Sequence, residues 1–95
     1  MSSEPLSGKV VVVTGGSGDI GSAIVRAVAV AGADVAITYV GNEVSAQSVA
    51  AQVRELGRRA FIVQMDQRDE QSIESCRTAV QDEFGQVDIL VNNAA

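Results

Sequence analysis

The sequence of 95 residues contains no histidine and a single cysteine, Cys76. This scarcity excludes a disulfide framework and the usual sets of zinc ligands. No apolar run approaches the ~20 residues that a membrane helix needs. Residues 1–9 also lack the apolar segment of a secretory signal. We therefore expect a cytoplasmic protein with no metal site and no membrane as a partner.

Positive charge is scarce as well. Lysine and arginine together number 7, against 12 aspartate and glutamate residues, which gives a net charge of −5. This charge repels a phosphate backbone, so we expect no nucleic acid as a partner. Hydrophobic residues make up 46% of the chain, a globular composition. We expect a polar, mobile lead-in over residues 1–8 and one folded domain over residues 9–95.

The rest of the chain is organised around residues 10–21, Val-Val-Val-Val-Thr-Gly-Gly-Ser-Gly-Asp-Ile-Gly. Four consecutive valines are typical of a strand that is buried on both faces of a parallel sheet. A cluster of glycines follows, and then an alanine-rich apolar run that predicts a helix. Glycines in this position let backbone amides approach a pyrophosphate, and the helix N-terminus favours an anion. The simpler interpretation is that these glycines only form a tight turn.

Strands and helices alternate along the chain. Strands are predicted at residues 9–14, 34–39, 60–65 and 87–91. Helices are predicted at residues 19–31, from a cap at Asn42 to Gly57, and from a cap at Asp69 to about Gly85. The apolar positions of these helices are Ile20, Ala23, Ile24, Ala27, Val28 and Ala31, then Ala46, Val49, Ala50, Val53 and Leu56, then Ile73, Cys76, Val80 and Phe84. Alternation at even spacing predicts an α/β fold with a parallel sheet and right-handed crossovers.

Three motifs carry a resemblance to a known family. They are residues 14–21, Asp66 after the third strand, and Asp-Ile-Leu-Val-Asn-Asn-Ala-Ala at residues 88–95. In this order they resemble the short-chain dehydrogenase/reductase family, and within its classical branch the 3-oxoacyl-acyl-carrier-protein reductases. The resemblance covers residues 9–95. It implies a Rossmann-like parallel sheet in the order 3-2-1-4 with helices on both faces, which is the N-terminal half of the family fold.

The resemblance also implies a dinucleotide as a partner and a set of residues that would contact it. The members of this set are Gly15, Ser17, Gly18, Asp19, Ile20, Gly21, Tyr39, Asp66, Gln67, Asn92 and Ala94. Ile20 is expected beside the nicotinamide. Asp66 would accept a hydrogen bond from the adenine amino group, with Gln67 alongside. Asn92 and Ala94 would lie against the ribose, and Asn93 would lock the central strands; for Asp66 and the asparagines the alternative is a purely structural role at the strand ends.

The chain departs from the family pattern at two positions. Asp19 stands where the common pattern has a glycine, because the chain has Gly18 one position earlier. Ala95 also stands where the family usually has a glycine. The carboxylate of Asp19 would come close to a pyrophosphate and would weaken nucleotide binding. The alternative is that Asp19 stabilises the positive end of its own helix.

The family's catalytic serine and Tyr-x-x-x-Lys pair lie beyond the Asn-Asn-Ala motif and are missing from these residues. Tyr39 is the one tyrosine and is not followed by a lysine four residues on, and Lys9 is the one lysine. Cys76 is expected to be a buried small hydrophobe. We therefore predict the nucleotide-binding portion of an NAD(P)-dependent oxidoreductase for a 3-oxoacyl compound or similar ketone, inactive by itself. The alternative is a stand-alone, non-catalytic α/β module that self-associates.

Two further expectations concern the cofactor and the partner. An NAD-specific site carries an acid at the end of the second strand, and Tyr39 holds that place. The missing acid permits a 2′-phosphate, so we predict NADP, with NAD as the alternative. The fourth strand is apolar and lies at an edge, where unpaired backbone groups invite a second chain. We therefore expect a homodimer through the fourth strands or the bare faces beside them.

Overall fold

The computed structural model describes residues 4–93, which form four strands and three helices in strict alternation. The strands are β1 (Val10–Val13), β2 (Asp34–Tyr39), β3 (Ala60–Gln64) and β4 (Ile89–Val91). The helices are α1 (Asp19–Val30), α2 (Glu43–Glu55) and α3 (Glu70–Phe84). The predicted α/β class is confirmed, although β4 begins two residues later than predicted.

The four strands are parallel and lie in the order β3-β2-β1-β4, as predicted. Val12 of β1 pairs with Ala36 of β2 on one side and with Leu90 of β4 on the other. The carboxyl ends of the strands therefore meet at a single edge of the sheet. Helices cover both faces, with α1 and α2 on one and α3 on the other.

The face under α1 and α2 holds the larger core. Val11 and Val13 of β1 are completely buried there, together with Val35 and Ile37 of β2. The residues that α2 buries against them are Ala46, Val49, Ala50 and Val53, as predicted. Full burial of a valine or isoleucine side chain contributes roughly 1.5–3 kcal/mol. This face therefore provides most of the hydrophobic stabilisation.

The face under α3 holds a smaller core. Its buried residues are Val12, Ala36, Met65, Cys76 and Val80. The rings of Phe61 and Phe84 meet edge to face at its margin, with centroids 6.3 Å apart. Burial raises the pKa of the Cys76 thiol, so this residue is uncharged and packs as a small hydrophobe.

The buried stripe of α1 lies one residue further along the helix than the sequence predicted. Gly21, Val25 and Ala29 are buried, whereas Ile20 is 72% exposed. The predicted inner residues Ile24 and Val28 are partly buried and do pack against the core. Because nearly every residue of α1 is small or apolar, its periodicity does not define a single face. The close approach of Gly21 to the turn after β1 sets the rotation of the helix instead.

Two other predicted inner positions are also wrong. Leu56 is 45% exposed because it is the C-cap of α2 and lies beyond the last helical turn. Ile73 is 39% exposed because α3 leaves the side of the sheet next to β4 open. The helix caps, in contrast, are where they were predicted. Asn42 accepts from the Ser45 amide at 3.1 Å, and Asp69 accepts from the Gln71 amide at 3.0 Å.

Residues 4–8 contact the domain at the amino end of the sheet. The Leu6 amide donates to the Ala31 carbonyl at 2.8 Å. Arg58 forms an ion pair with Glu4 at 3.1 Å. These contacts lie at the opposite edge from the glycine cluster, and the mobility of the lead-in stays a prediction.

Candidate functional site

The candidate site begins where β1 ends in a glycine turn, residues 14–18. Gly15 has a φ of +65°, in the left-handed region that favours glycine. Gly21, in the first turns of α1, lies directly against this turn. A Cβ atom at position 21 would collide with the carbonyl oxygen of Gly15. Both positions therefore require glycine, and the helix starts close to the backbone of the turn.

The backbone amides of the glycine turn and of the start of α1 fall into two groups. The Gly15 and Gly16 amides donate to the hydroxyl and the carbonyl of Thr38, at 3.0 and 3.2 Å, and the Gly18 amide donates to the Gly15 carbonyl at 3.2 Å. The amides that have no hydrogen-bond partner among residues 4–93 are those of Ser17, Asp19, Ile20 and Gly21. An anion at the start of α1 would find these donors and a favourable helix dipole.

Asp19 and Ile20 both project from the first turn of α1 and are exposed. A negative charge in the first turn of a helix is favourable for the helix dipole and unfavourable for an anion bound there, so both roles expected for the Asp19 carboxylate stay predictions. The apolar side chain of Ile20 is not used by the core. The predicted site residues Gly15 and 17–21 are thus brought together at one edge.

The end of β4 is tied to the glycine turn through Thr14. The Thr14 hydroxyl donates to Asn92 Oδ1 at 3.2 Å and accepts from the Asn93 amide at 2.9 Å. Asn93 Nδ2 donates to the Gly15 carbonyl at 3.3 Å. Asn92 and Asn93 therefore join β4 to β1 beside the turn. Ala94, also predicted for the site, lies outside the described residues.

The end of β3 brings a carboxylate to the same edge. Asp66 Oδ1 accepts from the amide and Nε of Arg68 at 3.0 and 3.1 Å, and Oδ2 accepts from Nη2 at 3.1 Å. The side-chain hydrogen bond from Arg68 lowers the pKa of Asp66, so Asp66 is an ionised acceptor near neutral pH. Gln67 Nε2 donates to Asn92 Oδ1 at 3.1 Å and so links the ends of β3 and β4.

Tyr39 ends β2 and is half-buried, and it packs against the core under α1 and α2. Its carbonyl accepts from the Met65 amide at 2.8 Å. The position where an NAD-specific site would carry an acid therefore presents a phenol.

A groove of about 610 Å³ opens below Asn92, between α3 and β4. We call it the α3 groove, and its apolar lining residues are Val12, Met65, Ile73, Cys76, Val80, Val87 and Leu90. Gln67 and Asn92 close it at the carboxyl edge. Leu90 is 63% exposed, although its strand has the composition of a central strand.

Three residues near the site received no role from the sequence. A Cβ at Gly16 would approach Ile37 to 2.9 Å, so this glycine is also required. Thr38 bears a buried hydroxyl beside the turn, and its signal was a polar residue directly after the apolar run 35–37 of β2. No signal marked Arg68, because its contact with Asp66 depends on the turn after β3.

The fold and these contacts can be compared with known proteins. A sequence model of the family described as short chain dehydrogenase matches residues 9–95. The chain belongs to the short-chain dehydrogenase family. As in dinucleotide-binding folds in general, a glycine turn follows the first strand of its parallel sheet.

Two curated relatives illustrate the extent of the match. L-rhamnose 1-dehydrogenase (NAD(P)(+)) from Sphingomonas sp. (strain SKA58) is 43% identical over 89 residues, which are 94% of this chain and 35% of that protein. Hydroxynaphthalene reductase arp2 from Aspergillus fumigatus is 43% identical over 90 residues, 95% of this chain and 33% of that protein. The chain therefore spans about a third of the length of the curated relatives it matches.

A solved structure confirms the predicted fold. A short chain dehydrogenase from Burkholderia cenocepacia J2315, in complex with NADP, superposes with a TM-score of 0.91 at 48% sequence identity. The match covers 95% of this chain and 37% of the other. The resemblance derived from the three motifs is thus confirmed, and the matched part is the N-terminal portion of the fold.

Within residues 4–93, no helix combines the length and the apolar character needed to cross a membrane. In that same part of the chain, no group of three or more potential metal ligands lies together.

Proposed function

We propose that this chain is the nucleotide-binding portion of an oxidoreductase that uses a nicotinamide dinucleotide to reduce a carbonyl or to oxidise an alcohol. The observation that carries the proposal is a set of amides without a partner among residues 4–93, that of residue 17 in the glycine turn and those of residues 19–21 at the start of α1. These amides would hold the pyrophosphate. The nicotinamide ring, when bound, supplies the hydride chemistry.

The neighbouring strand ends support the rest of the cofactor site. Asp66 is an ionised acceptor and would take a hydrogen bond from the adenine amino group, with Gln67 beside it. Asn92 Oδ1 already accepts from Thr14 and Gln67, so its Nδ2 would donate towards the ribose. Ala94, two residues after Asn92 in the sequence and outside the described residues, is proposed for the ribose on the family resemblance alone. Ile20, exposed and apolar, would face the nicotinamide.

Within this function we infer a preference for NADP. Tyr39 stands where an acid would bind the ribose hydroxyls of NAD and repel a 2′-phosphate. The Burkholderia cenocepacia relative, 48% identical, is described in complex with NADP. NAD stays the alternative, since the Sphingomonas relative is named for NAD(P)(+).

The one tyrosine and the one lysine of the sequence do not form the acid–base pair that the reaction would need. Tyr39 is half-buried against the core, and Lys9 is a neighbour of β1 at the opposite edge of the sheet. A proton donor for the substrate oxygen would therefore come from residues outside this sequence. We propose a 3-oxoacyl compound or a similar ketone as the substrate of the whole enzyme, in the cytoplasm.

An assay of turnover tests the catalytic part of the proposal. The 95-residue chain is incubated with NADPH and a panel of ketones and 3-oxoacyl thioesters, and the nicotinamide absorbance is followed. We expect no loss of absorbance that depends on the protein. Steady protein-dependent loss would refute the assignment of the acid–base pair to residues outside this sequence.

The α3 groove favours a second candidate function, a non-catalytic α/β module that self-associates. Leu90 and Ile89 are exposed on β4, which is an edge of the sheet. In a homodimer, two copies that pair through β4 would cover both side chains, and two copies that pair through the α3 groove would cover Leu90. The coding DNA beyond codon 95 separates the two candidates. A continuing frame that encodes Tyr-x-x-x-Lys supports the oxidoreductase, and a stop codon supports the module.

A further inference from the structure

Thr38 is the last buried residue of β2 and lies beside the glycine turn. Its side chain is 1% exposed, and its hydroxyl accepts a hydrogen bond from the Gly15 amide at 3.0 Å. Its carbonyl accepts from the next amide, that of Gly16, at 3.2 Å. One residue of β2 therefore holds two consecutive amides of the turn. Any residue at position 38 could provide the hydrogen bond to the backbone carbonyl, whereas the hydrogen bond to the side chain requires a hydroxyl.

The contacts of Thr38 decide which amides of the turn face outward. Because the Gly15 and Gly16 amides are used by Thr38, they are not available to an anion. The next unpartnered amide is that of Ser17, followed by those of Asp19 to Gly21. On the other side of the turn, Asn93 Nδ2 donates to the Gly15 carbonyl at 3.3 Å. Gly15 is thus held by its amide from β2 and by its carbonyl from the end of β4.

We propose that Thr38 is a positioning residue that sets the orientation of the glycine turn through its hydroxyl. This inference rests on the proposed nucleotide-binding function for its consequence, which is that the turn presents its free amides to a pyrophosphate. Removal of the hydroxyl leaves the half-buried Gly15 amide without its acceptor. The turn then gains freedom to rotate that amide towards water, and the geometry of the following amides changes with it.

Three substitutions isolate the hydroxyl. Thr38→Val keeps the shape and the branched Cβ that suits a strand but removes the acceptor. Thr38→Ser keeps the acceptor and loses only the methyl group. Thr38→Ala differs from the serine variant by the hydroxyl alone, so the pair remains informative if the valine variant packs differently. Circular dichroism and thermal unfolding of the full 95-residue chain establish that each variant is folded.

The first measurement is amide hydrogen exchange by nuclear magnetic resonance without any ligand. Loss of a buried acceptor is expected to speed exchange of the Gly15 amide by about tenfold or more in the valine and alanine variants. Exchange in the serine variant should stay within about twofold of the unsubstituted chain. Unchanged exchange at Gly15 in both hydroxyl-free variants would overturn the proposal.

The second measurement is NADPH binding, followed by the fluorescence of the nicotinamide. The valine and alanine variants should bind about tenfold more weakly than the serine variant, which should match the unsubstituted chain. Equal affinity in all four proteins would overturn the role of Thr38 in binding. If the unsubstituted chain does not bind NADPH, the proposed function fails, and the exchange rates still decide whether the hydroxyl sets the turn.

Discussion

The two faces of the sheet differ in how completely they are built. Among residues 4–93, eleven buried residues form the core under α1 and α2, whereas five form the core under α3. The first face encloses Ile37 completely, and the second leaves Leu90 63% exposed. The comparison separates two properties of the molecule. The face under α1 and α2 accounts for the stability of the fold, and the open face provides apolar surface for another segment or chain.

The largest expected effect comes from emptying the complete face. Ile37→Ala removes a fully buried side chain and should lower the free energy of unfolding by about 3 kcal/mol. Leu90→Ala removes a side chain of equal size from the open face and should cost less than about 1 kcal/mol. Urea unfolding followed by circular dichroism measures both. Similar losses in the two variants would contradict the difference between the faces.

The next effect concerns the association of the open face. Leu90→Lys places a charge in the α3 groove and should weaken a dimer by about tenfold or more. Val30→Lys is the matched control, because Val30 is 65% exposed on α1 and lies away from the groove. Sedimentation equilibrium over a wide range of concentration measures the dissociation constants. If the unsubstituted chain is a folded monomer at every concentration, the proposed homodimer is wrong.

A smaller effect is expected at the start of α1, which lies at the carboxyl edge of the sheet. Asp19→Asn removes a negative charge next to the unpartnered amides and should tighten dinucleotide binding by about 1 kcal/mol or less, since the site is open to solvent and salt. Loss of a favourable charge at the helix N-terminus should lower stability by roughly 0.3–1 kcal/mol. Titration calorimetry and urea unfolding measure the two changes. Glu55→Gln, at the far end of α2, is the control for the change in net charge. Equal or weaker binding by the Asp19 variant would show that the Asp19 carboxylate does not repel the cofactor.

The smallest effect is expected at Asp88, which helps to hold β4 against β1. The Asp88 carboxylate accepts a hydrogen bond from the Val10 amide at 2.8 Å. This bond is the main cause, and a hydrogen bond from the Gln86 side chain the second, of a pKa of Asp88 below its usual 3.8. The ionised carboxylate therefore contributes its full stabilisation above the pKa that Asp88 has in the unfolded chain. This stabilisation is lost as the pH falls through the lower pKa that Asp88 has in the folded chain.

Asp88→Asn should accordingly unfold with a weaker dependence on acid than the unsubstituted chain. Between about pH 5 and pH 2.5 we expect its melting temperature to fall less than that of the unsubstituted chain. Asp82→Asn, a substitution of an exposed carboxylate on α3, serves as the control. Parallel melting curves for the chain and its Asp88 variant across this range would contradict the role of Asp88 in holding β4.

The sequence was sufficient for the elements and their order. The run of four valines, the caps Asn42 and Asp69, and the alternation of elements depend on local chemistry that each segment carries by itself. The order of the strands followed from the resemblance of three motifs. The sequence also marked the glycine positions of the turn. The structure explains them, because the turn approaches the start of α1 so closely that a Cβ at Gly21 would not fit.

The remaining features depend on contacts between distant segments. The rotation of α1 is set by Gly21 against Gly15, which the uniform apolar composition of the helix did not reveal. The exposure of Ile73 follows from the absence of a neighbour over β4 among residues 4–93, and a helical period carries no information about neighbours. The hydrogen bond between the Thr38 hydroxyl and the Gly15 amide joins residues that are 23 positions apart. Such contacts are consequences of the folded sheet, so local patterns identify their residues only after the fold is known.

The central claim is that the amides at the start of α1 bind the pyrophosphate of a nicotinamide dinucleotide. Titration calorimetry of the 95-residue chain with NADPH tests it most directly, with Gly21→Ala as the comparison because a Cβ there would collide with the Gly15 carbonyl. The account predicts saturable binding of one NADPH per chain, weaker binding of NADH, and loss of binding in a folded Gly21→Ala variant. No saturable binding of either nucleotide to the folded chain, or equal binding to the Gly21 variant, would contradict it.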